Sequence, residues 1–114
     1  MINVYGLKNC DTCRKARKWM DGENIAYNFY DARVDGINAG QVSMWAKAVG
    51  WEVLLNKRGT TWRGLDADIK ATIDEDSAIA LMVKHPALVK RPVFVVGDKI
   101  VVGFSIKEQD QLKI

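Results

Sequence analysis

Two cysteines three residues apart, Cys10 and Cys13, are the side chains of this sequence best suited to nucleophilic chemistry. They follow a short apolar run that ends in glycine, and they open a stretch with helical periodicity. We therefore expect Cys10 in the first turn of a helix, where unpaired N–H groups and the helix dipole favour a thiolate. Arg14, one turn further along, adds a cation on the same side. The pKa of Cys10 should lie below the value of about 8.5 for a free cysteine.

Cys13 has two interpretations that the sequence leaves open. It lies three residues after Cys10, within geometric reach of it, and could resolve an adduct on Cys10. It also lies on an apolar helical stripe with Ala16 and Met20, where a buried and inert thiol is equally typical. Asp11, between the cysteines, opposes thiolate formation at Cys10 to some degree.

A metal site is the other common use of a CxxC motif. Zinc sites of that kind take four ligands, and this sequence has two cysteines and one histidine. We therefore expect no metal. The histidine, His85, precedes Pro86 at a predicted helix end, where capping or packing explains it without a catalytic role.

Size and charge narrow the functional classes. The chain has 114 residues, of which 48% are hydrophobic, and its formal charge is +3 from 17 basic and 14 acidic residues. This balance argues against nucleic-acid binding and suits small anionic substrates. No apolar run approaches the roughly 20 residues that span a bilayer, and no secretory signal precedes the first strand. We expect a cytoplasmic monomer that binds neither membranes nor nucleic acid.

The order of elements predicts one α/β domain over residues 1–114, with a βαβ unit, an all-helical insert over about 37–86 and a ββα tail. A βαβ unit pairs its strands in parallel through a right-handed crossover. The predicted strands are 2–5, 25–30, 93–96 and 100–102. The predicted helices are 11–21, 38–49, 65–73, 76–84 and 105–112, with an apolar turn or short helix at 51–55 and a polar, basic loop at 56–63. The tryptophans are assigned to the core, namely Trp19, Trp45, Trp51 and Trp62.

Three stretches carry a resemblance to a known family: YGLKNCDT (5–12), LLNKRGTTWR (54–63) and HPALVKRP (85–92). With a CxxC at a helix start and a later Arg-Pro before the ββα tail, they resemble the arsenate-reductase-related family that contains ArsC, the regulator Spx and the YffB-type reductases. The resemblance covers essentially the whole chain, and the middle stretch is similar to the YffB type. It implies a thioredoxin-like α/β fold with a helical insert.

The resemblance also implies roles for particular residues. Cys10 matches the ArsC nucleophile, and Arg91 matches the arginine that precedes a cis-proline, here Pro92. In ArsC-like enzymes the thiolate attacks an oxyanion held by arginines, and glutathione with glutaredoxin resolves the adduct. The other two arginines of that set are missing here, which argues against arsenate reduction. The matching positions carry Asn56 and Gly103 or Phe104.

Two further arginines, Arg58 and Arg63, are candidates for binding the carboxylates of glutathione if the helical insert places them opposite Cys10. The expected catalytic residues are Cys10 and Cys13. The expected substrate-binding residues are Asn9, Arg14, Arg58, Arg63, Arg91 and Pro92.

The function that the resemblance implies is an enzyme, a thiol oxidoreductase with no bound cofactor. Glutathione is the expected co-substrate, a small oxidised molecule the expected substrate, and glutaredoxin a further partner. A second hypothesis is a redox-sensing regulator similar to Spx, which binds RNA polymerase and switches through a Cys10–Cys13 disulfide. A third is arsenate reduction.

Overall fold

The structure is a computed structural model that describes residues 2–113. These residues fall into two compact units. The sheet unit comprises residues 2–36 and 91–113, and the helical unit comprises residues 37–90. The single domain stays a prediction. The helical unit comprises 37–90, and the insert expected over about 37–86 lies within it.

Strands and helices follow the predicted order along the chain. The strands are β1 (Ile2–Gly6), β2 (Tyr27–Asp31), β3 (Val93–Val96) and β4 (Lys99–Val102). The helices are α1 (Asp11–Gly22), α2 (Ala39–Val49), α3 (Trp51–Leu54), α4 (Thr60–Arg63), α5 (Ala67–Ala71), α6 (Glu75–Lys84) and α7 (Ile106–Leu112), and a 3₁₀ turn covers Pro86–Leu88.

The four strands of the sheet unit form one sheet in the order β2-β1-β3-β4. Strands β1 and β2 are parallel, as the βαβ pattern predicts, and β3 and β4 form an antiparallel hairpin beside β1. This is the thioredoxin-like arrangement that the sequence predicts. Strands β1 and β3 are antiparallel neighbours. The residues that follow β1 and those that precede β3 therefore lie close together, at the same end of the strands.

One face of the sheet carries the core of this unit. Alternate residues of β1 are buried, and α1 covers them with a stripe at helical spacing. Phe94 of β3 is fully buried in the middle of this cluster. The buried members of the core are Ile2, Val4, Ala16, Met20, Phe94, Val101 and Leu112. This packing fixes α1 on the sheet and therefore fixes the position of its first turn.

The helical unit has a core of its own, in which α2 packs against α6. Asn38 begins α2 with a capping box, and Asp74 begins α6 in the same way. A short bridge pairs Leu55 with Val89, and its hydrogen bonds run from Asn56 N–H to the Leu88 carbonyl and from Lys90 N–H to the Leu54 carbonyl, each at 2.7 Å. The bridge ties the residues that follow α3 to the end of this unit.

The segment 56–63, predicted as a loop, contains helix α4, so this prediction was wrong in its second half. The Arg63 N–H donates to the Gly59 carbonyl and the Gly64 N–H to the Thr60 carbonyl, which closes one helical turn. Trp62 is half-buried rather than in the core, and the ammonium groups of Lys57 and Lys70 lie 5.5 and 5.9 Å from its ring centre. Across residues 2–113, the helices are too short or too polar to cross a membrane.

Candidate functional site

Cys10 is placed by a hydrogen-bonded turn between β1 and α1. The Cys10 N–H donates to the Leu7 carbonyl at 3.2 Å, so Lys8 and Asn9 occupy the middle of the turn. The Cys10 carbonyl accepts the first bond of the helix, from the Arg14 N–H at 2.9 Å. Cys10 is thus the residue that caps α1, with extended backbone (φ −91°, ψ 124°), rather than a residue of the first turn as predicted. Its thiol stands at the positive end of the helix.

Cys13 lies behind Cys10 and is fully buried. The backbone N–H of Leu7 donates to the Cys13 sulfur, and Gly6 leaves room for it: a Cβ at Gly6 would lie 2.6 Å from Cys13 Sγ. Burial raises the pKa of the Cys13 thiol, and its hydrogen bond to Cys10 adds to this effect, so that the pKa reaches about 11. Cys13 is therefore a protonated thiol at neutral pH.

The environment of Cys10 stabilises its thiolate. Burial by itself raises the pKa of the Cys10 thiol, but three hydrogen bonds outweigh this effect. They come from the Cys13 N–H, from the Cys13 thiol and from the Arg91 guanidinium, whose charge adds to the effect. The pKa of Cys10 consequently lies below its ordinary value, in the direction that the sequence predicts.

Arg91 and Pro92 directly precede β3, at the same end of the sheet's strands as Cys10. The peptide bond between them is cis, as the resemblance implies. Pro92 is buried, and its carbonyl accepts the Gly103 N–H at 2.9 Å, which attaches the segment to the end of β4. The Arg91 side chain is half-buried and reaches the Cys10 sulfur. Of the predicted substrate-binding arginines, Arg91 is the one with a hydrogen bond to the nucleophile.

Arg14 has a different partner from the one predicted. Its guanidinium forms an ion pair with Asp11, and both side chains are exposed. This pair holds the pKa of the Asp11 carboxyl below its usual range. Asp11 and Arg14 are three residues apart on one helix face, which brings the carboxylate and the guanidinium together. We had expected this guanidinium beside Cys10. Asn9 lies exposed in the turn that precedes Cys10.

Arg58 and Arg63 belong to the helical unit, and both are exposed. The Arg58 N–H donates to Asn56 Oδ1 at 3.1 Å, and Arg63 Nε donates to the Gly59 carbonyl at 3.4 Å. Arg58 lines a depression of about 330 Å³ within this unit. The other residues that line it are Glu52, Val53, Leu55, Asn56, Lys57 and Lys90. The predicted role of the two arginines in binding glutathione stays a prediction.

Sequence reasoning missed Asp31, the last residue of β2. Its side chain is buried, and its carboxylate accepts the Lys8 N–H at 3.0 Å and the Arg33 N–H at 2.8 Å. These bonds hold the pKa of the Asp31 carboxyl below its usual range, and the bond from Lys8 has the largest effect. The signal available in the sequence was an aspartate directly after the predicted strand 25–30.

The fold and the site define a class of protein: a thioredoxin-like domain with a hydrogen-bonded thiol at the start of its first helix. A model of the ArsC family matches residues 5–112, and the chain belongs to that family. It is 44% identical over 108 residues to an uncharacterized protein of Haemophilus influenzae, across 95% of each chain. It is 23% identical over 110 residues to the global transcriptional regulator Spx of Listeria innocua, across 95% of this chain and 83% of Spx. The solved structure of a YffB protein superposes with a TM-score of 0.92 at 40% identity, across 97% of each chain.

Proposed function

We propose that this protein is a cytoplasmic, glutathione-dependent thiol oxidoreductase in which Cys10 is the nucleophile. The observation that carries the proposal is the set of donors around Cys10. The Cys13 N–H, the Cys13 thiol and the Arg91 guanidinium all act on one sulfur, which holds its pKa below the ordinary value. A lowered pKa increases the fraction of thiolate, and Cys10 is partly exposed, so both requirements for attack on a disulfide are present.

The proposed reaction transfers a glutathionyl group in two exchanges. The Cys10 thiolate attacks the glutathionyl sulfur of a mixed disulfide, the substrate S–S bond breaks, and the substrate leaves as a thiolate that takes a proton from water. A glutathione thiolate then attacks the glutathionyl sulfur on Cys10, which releases oxidised glutathione and restores the Cys10 thiolate. The substrate sulfur is reduced, and one glutathione is oxidised in each turnover.

In this mechanism glutathione, rather than Cys13, resolves the adduct. A thiol with a pKa of about 11 is ionised in about one molecule in ten thousand at pH 7, so Cys13 is a poor attacking group. It is suited instead to donate its S–H to the Cys10 thiolate. Because Cys13 is fully buried and Cys10 is partly exposed, an incoming disulfide reaches Cys10 first.

Arg91 is the proposed contact for the anionic substrate. Its guanidinium offers several N–H donors in a fixed fork, one side of which serves Cys10 and another of which suits a carboxylate of glutathione. Asn9 and Pro92 are also proposed to contact the substrate, since Asn9 lies in the turn before Cys10 and Pro92 directly follows Arg91.

The test is reduction of a small glutathione mixed disulfide, followed through oxidised glutathione as it forms. Cys10→Ser should abolish the protein-dependent rate, whereas Cys13→Ser should retain a substantial part of it. Full activity in Cys10→Ser would show that the mechanism is wrong. Loss of activity in both variants, with both still folded, would instead require a dithiol mechanism.

A redox-sensing regulator is a second candidate, because the two sulfurs share a hydrogen bond and the chain is similar to Spx. In that function an oxidant would remove two electrons and two protons from Cys10 and Cys13 and join the sulfurs in a disulfide. The proposed partner is RNA polymerase. The test is capture of purified RNA polymerase by the reduced and the oxidised protein, and failure in both states would eliminate this candidate.

A further inference from the structure

We propose that Asp31 is a positioning residue for Cys10: its carboxylate anchors the turn that carries the nucleophile to the end of β2. The inference rests on the proposed function only in that Cys10 is taken as the nucleophile. Asp31 is expected to contact neither the substrate nor the reacting sulfur. Its effect passes through the backbone of the turn.

The first observation is the burial of a charge. Asp31 is the buried charged side chain among residues 2–113, with 6% of its surface exposed. A buried carboxylate is unfavourable unless hydrogen bonds replace its water. Here two backbone N–H groups do so, from Lys8 and from Arg33. Hydrogen bonds to a charged acceptor are stronger than neutral ones, which suits Asp31 to anchor the backbone at Lys8.

The second observation is where the strand pairing ends. In the parallel ladder Gly6 lies opposite Asp31, and the last backbone bond runs from the Ala32 N–H to the Gly6 carbonyl at 2.8 Å. Beyond Gly6 the chain leaves the sheet to form the turn, so the Lys8 N–H has no strand carbonyl opposite it. The Asp31 side chain supplies the acceptor instead. The Asp31 carboxylate therefore holds the turn that follows β1 against the end of β2.

The third observation links this anchor to the nucleophile. Lys8 is the second residue of the turn that ends at Cys10, and its N–H points to Asp31. The N–H of Leu7, one residue earlier, donates to the Cys13 sulfur. Fixing Lys8 therefore fixes both sulfurs relative to each other. If the turn shifts, the donors at Cys10 lose their alignment, and the thiolate loses their support.

The negative charge of Asp31 and its hydrogen bond to the turn have opposite expected effects on the pKa of Cys10, which makes the proposal testable. The charged groups around Asp31 are Lys8 in the turn and Arg33 and Asp35 in the segment after β2, and the cation at Cys10 is Arg91. As a mere negative charge, Asp31 would disfavour the Cys10 thiolate, and its removal would lower the pKa of Cys10. As an anchor it favours the thiolate, and its removal should raise that pKa.

The experiment is the pH dependence of Cys10 alkylation by iodoacetamide, with mass spectrometry to locate the modified cysteine. The variants are Asp31→Ala, which removes the acceptor, and Asp31→Asn, which removes the charge but keeps an oxygen for the Lys8 N–H. Asp35→Ala is the matched control, because Asp35 accepts the Asp31 N–H at 2.9 Å in the same segment and does not bond to Lys8.

In Asp31→Ala we expect the midpoint of alkylation to rise by about one pH unit, with an approximately tenfold slower reaction below the midpoint. Asp31→Asn should recover at least half of this shift, and Asp35→Ala should match the wild type. A midpoint that falls or stays the same in Asp31→Ala would overturn the proposal. A wild-type midpoint at the ordinary value for cysteine would instead contradict the proposed function.

Amide hydrogen exchange keeps the test decisive if Asp31→Ala does not fold. The Lys8 amide of the wild-type protein should be protected, although Lys8 itself is exposed, and Asp31→Asn should reduce that protection while Asp35→Ala leaves it unchanged. An unprotected Lys8 amide in the wild type would show that the anchor does not exist in solution.

Discussion

The sulfur of Cys13 occupies the space into which a side chain on Gly6 would project, since a Cβ there would lie 2.6 Å from Cys13 Sγ. Both residues are buried, so neither can move aside without disturbing the core. We expect Gly6→Ala to lower the free energy of unfolding by about 1–3 kcal/mol, the usual result of overpacking. Urea unfolding of the reduced protein measures this.

Two comparison variants show whether the loss of stability comes from the contact with Cys13 Sγ or from any change of glycine to alanine. Cys13→Ala removes the sulfur, so the double variant Gly6→Ala/Cys13→Ala should be more stable than the sum of the single changes predicts. Gly22→Ala, at the end of α1, meets nothing within 4 Å and should be neutral or slightly stabilising. Equal losses in Gly6→Ala and Gly22→Ala would contradict the contact.

Removal of the Cys13 thiol should weaken the Cys10 thiolate. In Cys13→Ala the pKa of Cys10 should rise because one of its hydrogen-bond donors is lost. Cys13→Ser keeps an O–H donor at the same position, so its Cys10 should remain closer to the wild type. The pH dependence of Cys10 alkylation distinguishes the variants. An unchanged pKa in Cys13→Ala would mean that the S–H contributes nothing to the thiolate.

Stability should fall at alkaline pH because of Cys13. Its pKa is about 11 in the folded protein, where burial opposes ionisation, whereas in the unfolded chain it ionises near 9. Between these values the unfolded state binds fewer protons, so the free energy of unfolding decreases as pH rises. The stabilisation is complete below about pH 9, and its loss amounts to about 2 kcal/mol by pH 11.

The measurement is the difference between wild type and Cys13→Ala in urea unfolding at pH 8, 9.5 and 10.5, with a reductant present. The difference between the two proteins removes the contributions of lysines and tyrosines that titrate in the same range. We expect it to shrink with rising pH. A difference that stays constant would show that Cys13 ionises as easily in the folded protein as in the unfolded one.

Arg91 and Arg14 should differ strongly in their effect on catalysis. Arg91→Ala should raise the pKa of Cys10 and lower kcat/KM for a glutathione mixed disulfide by about tenfold or more, since it removes a charged donor from the sulfur. Arg14→Ala should have a much smaller effect, because Arg14 is paired with Asp11 on the exposed side of α1. Steady-state kinetics of both variants test this, and equal losses would contradict the assignment.

Much of the sheet unit could be predicted from the sequence because its signals are local. Alternation identifies β1, and a stripe at helical spacing identifies α1. The last helix begins at Ser105 with Glu108 in a capping box, as expected from those two residue types. The position of Cys10 at the start of α1 follows from the same signals.

The remainder depended on contacts that the sequence does not specify. Arg14 was expected beside Cys10, and in the structure its guanidinium pairs with Asp11 on the exposed side of the same helix. Its role in binding substrate stays a prediction. Trp62 was assigned to the core, but lysines cover its ring at the surface. Asp31 was missed because its role requires the register in which it lies opposite Gly6, and register is set by packing rather than by residue type.

The most direct test of the central claim is the intact mass of the reduced protein after exposure to oxidised glutathione, with Cys10→Ser and Cys13→Ser treated alongside. We expect the wild type and Cys13→Ser to gain one glutathionyl group each, and Cys10→Ser to gain none. Loss of two hydrogens in the wild type, abolished by either substitution, would show an internal disulfide and favour the redox-switch function. No reaction at either cysteine would contradict the assignment of Cys10 as the nucleophile.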